Sequence, residues 1–269
     1  MVVALIILVS LVVLYLIATV CRSGHTGWKQ LEGYSYAHRG LHDDKIPENS
    51  MLAFAKAKEH GYGIELDLHL LSDGNLAVFH DGDLKRMTGQ EGTIEALTTV
   101  QLSQYHLAQT EQTIPTFAQL LELIDGSVPL VVELKAVNGN HKELCQTVKN
   151  ALKDYRGAFC IESFDPRCIA WLRKHWPEAV RGLLLQNYFK PKMPNLPFQA
   201  KLALVWQLMN ISLYPDFIAY RFCDRNNVGN FIARKFWGAK GVVWTVKSQK
   251  DFDTATKEGY ISIFEGFTP

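Results

Sequence analysis

The stretch ELDLHLLSDGNLAVFH, residues 65–80, joins two apolar, strand-like runs through a short polar turn. Its centre, Ser72-Asp73-Gly74, is a hairpin turn signal. Side chains alternate between the faces of a strand, so Glu65 and Asp67 are predicted to point the same way. Folding about the turn would bring His80 roughly opposite Asp67. One face of this hairpin is therefore predicted to carry two carboxylates and an imidazole.

Similar apolar runs recur along the chain, and segments of helical length separate most of them. Eight runs are predicted as strands: 36–38, 64–68, 130–134, 159–163, 181–185, 217–220, 242–246 and 261–264. Their alternation with helices favours a parallel sheet, which at this length closes into a (β/α)8 barrel of the TIM type. The run 76–80 follows a turn too short for a crossover, so it is predicted as an added antiparallel hairpin strand.

Two long connections interrupt this pattern. Residues 81–113 form an irregular link with several glycines, and residues 186–215 combine prolines with apolar patches. Loops of this length in a barrel enzyme usually form lids or binding surfaces. The apolar residues of the second connection either meet a membrane or a lipid-like substrate, or cover the barrel rim; they are Tyr188, Phe189, Trp206 and Leu208.

The N-terminus differs from the rest of this 269-residue chain, which is 48% hydrophobic with a net charge of +1. This balance indicates a globular protein and gives no electrostatic case for nucleic-acid binding. Residues 2–20 carry no charge and would span about 29 Å as a helix, close to the thickness of a bilayer core. We therefore expect a transmembrane anchor at 1–21, a juxtamembrane linker at 22–33 and a catalytic domain at 34–269. A cleaved signal peptide is the competing interpretation, but no positive residue precedes the apolar run.

The flanking charges favour a cytoplasmic location for the catalytic domain. Arg22 and Lys29 follow the apolar run, and the positive-inside tendency then places the barrel in the cytoplasm of a single-pass membrane protein. An odd number of cysteines without metal-type spacing agrees with reduced thiols. Those at positions 145, 160 and 168 lie in apolar contexts typical of buried free thiols.

The residues with catalytic potential fall at the ends of successive predicted strands. His38 ends the first strand, Glu65 and Asp67 the second, and Glu133 the third, so their side chains are expected at one mouth of the barrel. Three carboxylates suit a hard divalent cation, Mg²⁺ or Ca²⁺, rather than Zn²⁺. Beside such a metal, His38 and His80 are candidates for general acid–base catalysis.

Two cationic residues near these positions suit an anionic substrate. Arg39 follows His38 directly, and its planar fork matches phosphodiester oxygens. Lys135 lies two residues beyond Glu133 and could bind phosphate or form a rim salt bridge. His69 shares the face of Asp67 and is a weak candidate for a supporting role. The other unassigned histidines considered, at positions 25, 42 and 175, are interpreted as structural.

Six short motifs occur in order along the chain: AHRG (37–40), PENS (47–50), ELDL (65–68), VFHD (78–81), ELK (133–135) and VWTV (243–246). Together with the smaller segment ESFDP (162–166), they resemble the glycerophosphodiester phosphodiesterase family. The resemblance covers nearly everything from about residue 34 to the C-terminus. It departs at ISIFEGFTP (261–269), where Phe264-Glu265 stands in place of a common Thr-Asp pair.

The resemblance implies a role for each matching residue. It assigns His38 and His80 as general acid and base, Glu65, Asp67 and Glu133 as metal ligands, Arg39 and Lys135 as phosphate ligands, and Glu48 and Asn49 as supporting residues. Trp244 would pack against the glycerol moiety, or it is an aromatic residue of the barrel core. The implied cofactor is a divalent metal ion, Mg²⁺ or Ca²⁺.

The implied reaction is metal-assisted cleavage of a glycerophosphodiester to sn-glycerol 3-phosphate and an alcohol. The attacking group is either water or the neighbouring glycerol hydroxyl. Two alternatives remain open at this stage: a lysophospholipase D-type hydrolase acting on membrane lysolipids, and a membrane-tethered binding module without catalysis. The sequence makes no prediction of protein partners.

Overall fold

A computed structural model describes residues 1–191, 193–194 and 196–269. In this part of the chain eight parallel strands close into a barrel, because the first strand pairs with both the second and the last. One antiparallel strand is attached. The (β/α)8 prediction is therefore confirmed. The strands are β1 (Tyr36–Ala37), β2 (Gly63–Leu70), β3 (Leu76–Val78), β4 (Leu130–Leu134), β5 (Phe159–Ser163), β6 (Arg181–Leu185), β7 (Phe217–Arg221), β8 (Lys240–Val246) and β9 (Ile261–Phe264).

Helices connect the strands and cover the barrel. They are α1 (Val2–Ala18), α2 (Met51–Glu59), α3 (Lys85–Thr88), α4 (Phe117–Ile124), α5 (His141–Ala151), α6 (Pro166–His175), α7 (Phe198–Val205), α8 (Asn210–Leu213), α9 (Val228–Lys235) and α10 (Gln249–Lys257). Several begin at a side-chain cap that satisfies a free backbone N–H. The Ser50 hydroxyl accepts a hydrogen bond from the Ala53 N–H, and the Asp165 carboxylate accepts one from the Arg167 N–H.

The hairpin forms as predicted, but its register differs by one residue. Leu68 pairs with Val78, so Asp67 lies opposite Phe79 rather than His80. The reason is the turn: the Leu71 N–H donates to the Asn75 carbonyl at 2.8 Å, which leaves a three-residue loop instead of two residues. A left-handed glycine at the end of such a loop is common in hairpins. His80 consequently follows β3 and is not part of it.

The long connection after the hairpin forms a satellite of the barrel. It contains α3 and three short 3-10 helices, at 94–96, 99–104 and 107–109. Its apolar side chains pack in a cluster of their own beneath the hairpin, including Phe79, Ile94 and Leu107. The predicted irregular link is therefore an ordered cover on the side of the barrel that carries His80.

The N-terminal helix is shorter than the predicted anchor. α1 has 17 residues and ends where the Thr19 hydroxyl donates to the carbonyls of Tyr15 and Leu16. Within the described residues no helix combines the length and the apolarity needed to cross a membrane. The transmembrane anchor predicted at 1–21 is therefore not confirmed.

The segment after α1 packs against the barrel instead of standing free. Arg22 forms an ion pair with Asp216, and its guanidinium also donates to the carbonyls of Pro177 and Ala179. The Trp28 ring contacts that of Phe217, the first residue of β7, at a tilt of 41° with centroids 5.3 Å apart, and both rings are buried. Since β7 starts at the amino end of the barrel, this segment covers the face opposite the predicted site.

Gly40, in the AHRG motif, sits where a side chain has no room. Its φ is +80°, and an added Cβ would lie 2.9 Å from both the Cβ and the carbonyl carbon of Ala53 at the start of α2. The close approach lets the Leu41 N–H donate to the Ala53 carbonyl at 3.0 Å. This glycine therefore holds the loop that follows β1 against α2.

Replacing Gly40 by alanine is expected to lower the free energy of unfolding by about 2–5 kcal/mol. A left-handed backbone costs about 1–2 kcal/mol with a side chain, and overpacking typically adds about 1–3 kcal/mol. Gly61→Ala is the matched control, since Gly61 has φ +71° but open space around its Cβ position. Denaturant titration of both variants measures the difference. Equal losses in the two variants would contradict the packing argument.

Candidate active site

Three buried carboxylates converge at the carboxyl end of the barrel. Glu65 and Asp67 come from β2, and Glu133 comes from β4, where it pairs in register with Asp67. Each offers an oxygen atom within 4.8 Å of the others. Lys135 follows β4 and places its ammonium 2.9 Å from Asp67 Oδ1 and 2.6 Å from Glu133 Oε1. The structure thus brings together the three carboxylates that the sequence predicted at this mouth, with Lys135 paired to two of them.

The electrostatics of this carboxylate cluster reflect crowded negative charge. Burial, together with the charges of Asp67 and Glu133, raises the pKa of Glu65 well above its usual value. Burial also raises the pKa of Glu133 to about 7, even though Lys135 opposes the shift. At Asp67 burial acts in the same sense, but the charges of Lys135 and Arg39 outweigh it and lower the pKa. The cluster would therefore gain from an additional cation.

The donor set fits a divalent metal ion. All three donors are carboxylate oxygens, which are the ligands that Mg²⁺ and Ca²⁺ prefer. Oxygens on opposite sides of such an ion lie about 4–5 Å apart, and the three carboxylate oxygens all lie within 4.8 Å of one another. Glu65, Asp67 and Glu133 could therefore hold a metal ion without a change of fold.

His38 faces this cluster from the end of β1. Its Nδ1 lies 2.8 Å from Glu265 Oε2, and its Nε2 lies 3.9 Å from Glu65 Oε2. Glu265 follows β9 and stands where the sequence departs from the resembling family. Its carboxylate therefore fixes the His38 ring and directs Nε2 toward the carboxylate cluster. The hydrogen bond from His38 lowers the pKa of Glu265 to about 2.

The His80 ring is likewise held by a carboxylate at its Nδ1. Its Nδ1 lies 2.6 Å from Asp81 Oδ1, and Arg86 in turn forms an ion pair with Asp81. His69 Nε2 lies 3.2 Å from the His80 carbonyl, while its Nδ1 lies 2.5 Å from Glu95 Oε1. The side chain and the backbone of His80 are therefore both fixed. The supporting place suggested for His69 agrees with these contacts.

The surroundings of both histidines disfavour the imidazolium form. Burial lowers the pKa of His38, and the hydrogen bond to Glu265 only partly opposes this shift. Burial also lowers the pKa of His80, to about 4, although the charge of Asp67 acts in the opposite sense. A neutral imidazole with Nδ1–H bound to a carboxylate presents Nε2 as a proton acceptor.

Arg39 and the PENS motif form hydrogen bonds with the carboxylate cluster and with each other. The backbone N–H of Arg39 donates to Glu65 Oε2 at 3.0 Å, and its guanidinium donates to Glu48 at 2.7 Å. Asn49 donates from its side chain to Asp67 Oδ2 at 2.8 Å and from its backbone to the Arg39 carbonyl at 2.9 Å. Glu48 therefore orients Arg39, and Asn49 orients a carboxylate of the cluster.

A small cavity of about 80 Å³ lies between the carboxylate cluster and the barrel core. Trp244 lines it and meets Phe164 edge to face at 5.3 Å, while its indole N–H donates to the Ala219 carbonyl at 3.0 Å. Trp244 therefore packs against the barrel core and also faces the cavity, while its contact with glycerol stays a prediction. Glu162 also lines the cavity. Among the described residues its buried Oε2 has no hydrogen-bond partner, and the sequence left this position without a role.

His38 is a predicted general acid or base, and in Glu265→Gln it would lose the carboxylate that orients it. This variant is therefore expected to lower kcat at least about tenfold, since general acid–base catalysis is worth about 10²–10⁴. Glu265 raises the pKa of His38. Its removal should therefore move the acidic limb of the kcat/KM profile to lower pH. Glu265→Asp, which keeps the charge, is the matched control and should retain more activity. An unchanged pH profile in Glu265→Gln would contradict the orienting role.

Comparisons with known proteins agree with this geometry. Residues 38–265 match the Glycerophosphoryl diester phosphodiesterase family profile. A glycerophosphodiester phosphodiesterase of Caldanaerobacter subterraneus subsp. tengcongensis is 33% identical over 235 residues, which cover 83% of this chain and 89% of the relative.

Solved structures show the same fold. An Oleispira antarctica phosphodiesterase in complex with the product sn-glycerol-3-phosphate superposes with a TM-score of 0.74 at 22% identity, over 90% of this chain and 95% of that chain. A glycerophosphodiester phosphodiesterase from Thermotoga maritima gives 0.67 at 22% identity, over 87% and 95% of the two chains. With the family match and the relative above, these likenesses lead to one conclusion: the chain belongs to the glycerophosphoryl diester phosphodiesterase family and is a phosphoric diester hydrolase.

Proposed function

We propose that this enzyme is a metal-dependent phosphodiesterase that hydrolyses glycerophosphodiesters to sn-glycerol 3-phosphate and an alcohol. The observation that carries the proposal is the convergence of three buried carboxylates with two histidines, each bound through Nδ1 to its own carboxylate. The proposed catalytic unit comprises residues 34–269. A binding module without catalysis is not favoured, because competent residues occupy every position that the reaction needs.

Glu65, Asp67 and Glu133 would hold Mg²⁺ or Ca²⁺. When bound, the metal ion would polarise a phosphoryl oxygen and offset the charge of the carboxylates. Lys135 and Arg39 supply the remaining positive charge. Lys135 stays protonated because, although its burial alone would lower the pKa, the charges of Asp67 and Glu133 raise it. Both cations border the cavities beside the cluster, where they would bind the other phosphoryl oxygens.

The two histidines would divide the proton transfers. His38 borders the small cavity only, whereas His80 also borders a larger cavity on its other side. We therefore assign His38 Nε2 as the base that takes the proton of the attacking hydroxyl, which belongs either to water or to the glycerol. His80 Nε2 would protonate the departing alcohol. The anionic phosphate would raise the pKa of His80 and favour its protonation in the complex.

The small cavity beside Trp244 would receive the glycerol moiety. Its apolar walls, Phe164, Leu184 and Trp244, suit the carbon face of glycerol. The buried Glu162 carboxyl suits its hydroxyls, because burial and the charge of Glu133 raise the pKa of Glu162 well above its usual value. A protonated carboxyl both donates and accepts hydrogen bonds.

The test is an assay of the purified full-length chain on glycerophosphocholine. We expect release of sn-glycerol 3-phosphate with Mg²⁺ or Ca²⁺ present, and loss of at least about 10²-fold in rate after chelation with EDTA. Re-addition of the metal is the control for irreversible damage by the chelator. Absence of sn-glycerol 3-phosphate with either metal would overturn the proposal. An unchanged rate in EDTA would overturn its metal dependence.

We also propose that α1 associates with membrane lipid, with the barrel on the cytoplasmic side that Arg22 and Lys29 favour. Apolar side chains of α1, including Leu8 and Leu11, are more than half exposed, and lipid would remove them from water. In liposome flotation, Leu8→Lys combined with Leu11→Lys should reduce binding by more than about tenfold. Leu52→Lys, at an exposed leucine of α2, is the control. Equal flotation of all three proteins would contradict this proposal.

A further inference from the structure

A second, larger cavity adjoins the carboxylate cluster on the side away from the barrel core. Its volume is about 700 Å³, within the range of sites for organic ligands. His80, Glu133 and Lys135 border one end. Apolar side chains form most of the remaining wall: Leu134, Phe164, Tyr188, Leu196, Ala200, Leu204 and Met209. We refer to this cavity as the apolar groove.

The apolar groove and the small cavity meet at the predicted reaction centre. His80, Glu133 and Phe164 border both. A phosphodiester bound at the carboxylate cluster therefore has one substituent in each compartment. Because His80 borders the groove and His38 does not, the substituent in the groove is the one whose oxygen His80 is assigned to protonate. The groove thus receives the departing alcohol.

We infer that this enzyme acts on glycerophosphodiesters whose glycerol is unsubstituted and whose departing alcohol carries a hydrocarbon chain. The inference rests on the proposed function and specifies its substrate class. In the net reaction the oxygen of water forms a new bond to phosphorus, and the bond between phosphorus and the alcohol oxygen breaks. That oxygen takes a proton, which leaves sn-glycerol 3-phosphate and a long-chain alcohol.

The size of the small cavity indicates that the hydrocarbon chain lies on the departing alcohol and not on the glycerol. At about 80 Å³ it has space for a compact polar group, and Leu184, Trp244 and Ile263 bound it on the side of the barrel core. An acyl chain on the glycerol would have to displace these core residues. The structure therefore separates this substrate class from lysolipids of the lysophosphatidylcholine type, whose chain is on the glycerol.

The charges of the apolar groove do not suit a small cationic alcohol. Among the described residues, both carboxylates of the groove wall already have a partner: Glu133 contacts Lys135, and Asp165 contacts Arg167 at 2.6 Å. A quaternary ammonium group would find no free carboxylate there. A hydrocarbon chain instead replaces water along an apolar wall, and each buried methylene strengthens binding several-fold.

The described residues of the connection 186–215 form the outer wall of the apolar groove and also place apolar side chains at its rim. Tyr188 and Leu204 are buried in the wall, whereas Phe189 and Phe198 are exposed and stack edge to face at 6.0 Å. The sequence left two interpretations of this segment open, a lipid contact or a cover for the rim. The apolar groove is compatible with both interpretations, because the segment covers the rim and leaves an apolar channel beneath it.

The test compares three diesters with the full-length, metal-loaded enzyme: sn-glycero-3-phosphoethanol, sn-glycero-3-phosphohexanol and 1-hexanoyl-sn-glycero-3-phosphoethanol. We expect kcat/KM for the hexanol diester to exceed that for the ethanol diester at least about tenfold. The hexanoyl lysolipid should react at least about tenfold more slowly than the hexanol diester. The last two probes both carry a six-carbon chain and differ in the side of the phosphate on which it lies.

The variant Ala200→Trp tests whether the preference for the hexanol diester depends on the apolar groove. Ala200 lines the groove from α7 and is not part of the reaction centre, so an indole there fills the channel. This variant should lose the preference for hexanol and keep its rate on the ethanol diester within about twofold. Gln199→Trp, at the exposed neighbouring position, should behave like the unchanged enzyme.

Each other outcome decides against the inference. Equal kcat/KM for the hexanol and ethanol diesters, or a hexanol preference that survives in Ala200→Trp, shows that the groove does not hold the chain. Preferred cleavage of the hexanoyl lysolipid places the chain on the glycerol. No turnover of these diesters, with none of glycerophosphocholine, overturns the proposed function as well. Turnover of glycerophosphocholine alone overturns only this inference.

Discussion

Replacement of His80 by alanine should lower kcat by about 10²–10⁴-fold, the usual worth of a positioned general acid or base. The structure gives the reason, because His80 stands between the two cavities, with its ring held by Asp81 and its backbone by His69. No other described histidine borders both cavities. Steady-state assays on glycerophosphocholine measure the loss.

The nature of the departing group tests the role assigned to His80. A p-nitrophenyl leaving group needs little protonation, so on sn-glycero-3-phospho-p-nitrophenol the loss in His80→Ala should shrink by at least about tenfold. The loss in His38→Ala should remain, since the attacking hydroxyl still has to be deprotonated. His106→Ala, at an exposed histidine, is the control. If the two catalytic variants respond alike to the leaving group, the division between acid and base is wrong.

The barrel could be predicted because short stretches of sequence specify its strands and helices. Each strand is a short apolar run, and each helix between strands has its own period and caps, as Ser50 shows for α2. The ends of parallel strands meet at one mouth in any closed barrel. The sequence therefore suffices to place Glu65, Asp67 and Glu133 together.

The structure differs from the sequence prediction where a small geometric choice decides. The sequence SDG permits a two-residue or a three-residue turn, and the hydrogen bond between Leu71 and Asn75 selects the longer one. The longer turn shifts the pairing by one residue, so that Phe79 and not His80 lies opposite Asp67. Similarly, an apolar run of nineteen residues does not determine where its helix ends, and the Thr19 hydroxyl caps α1 at Ala18.

Two of the residues that the sequence missed, Asp81 and Glu265, hold the histidines in place. Asp81 is next to His80, so the pair could have been recognised from the HD dipeptide as an imidazole beside a carboxylate. Glu265 is separated from His38 by 227 positions and meets it only because β9 pairs with β1. Such a partner follows from barrel closure, and a departure from the family pattern is the sole local sign of it.

Glu65→Gln should abolish metal-dependent activity, with a loss of at least about 10²-fold, while leaving the metal-free fold intact. Burial and the charges around it already favour the protonated form of Glu65. A neutral amide of similar size therefore costs the metal-free protein little, and its oxygen can still accept the hydrogen bond from the Arg39 N–H. What the variant lacks is the negative charge that binds the cation.

Thermal unfolding separates this explanation from simple damage. A metal ion at about 100-fold excess over its Kd stabilises the native state by about 2.7 kcal/mol. The unchanged enzyme should thus show a Tm that rises with Mg²⁺ or Ca²⁺, whereas Glu65→Gln should start from nearly the same metal-free Tm and respond little. Glu122→Gln, on α4 outside the carboxylate cluster, is the control. A large fall in the metal-free Tm of Glu65→Gln would instead make Glu65 a structural residue, and an undiminished response to metal would exclude it as a ligand.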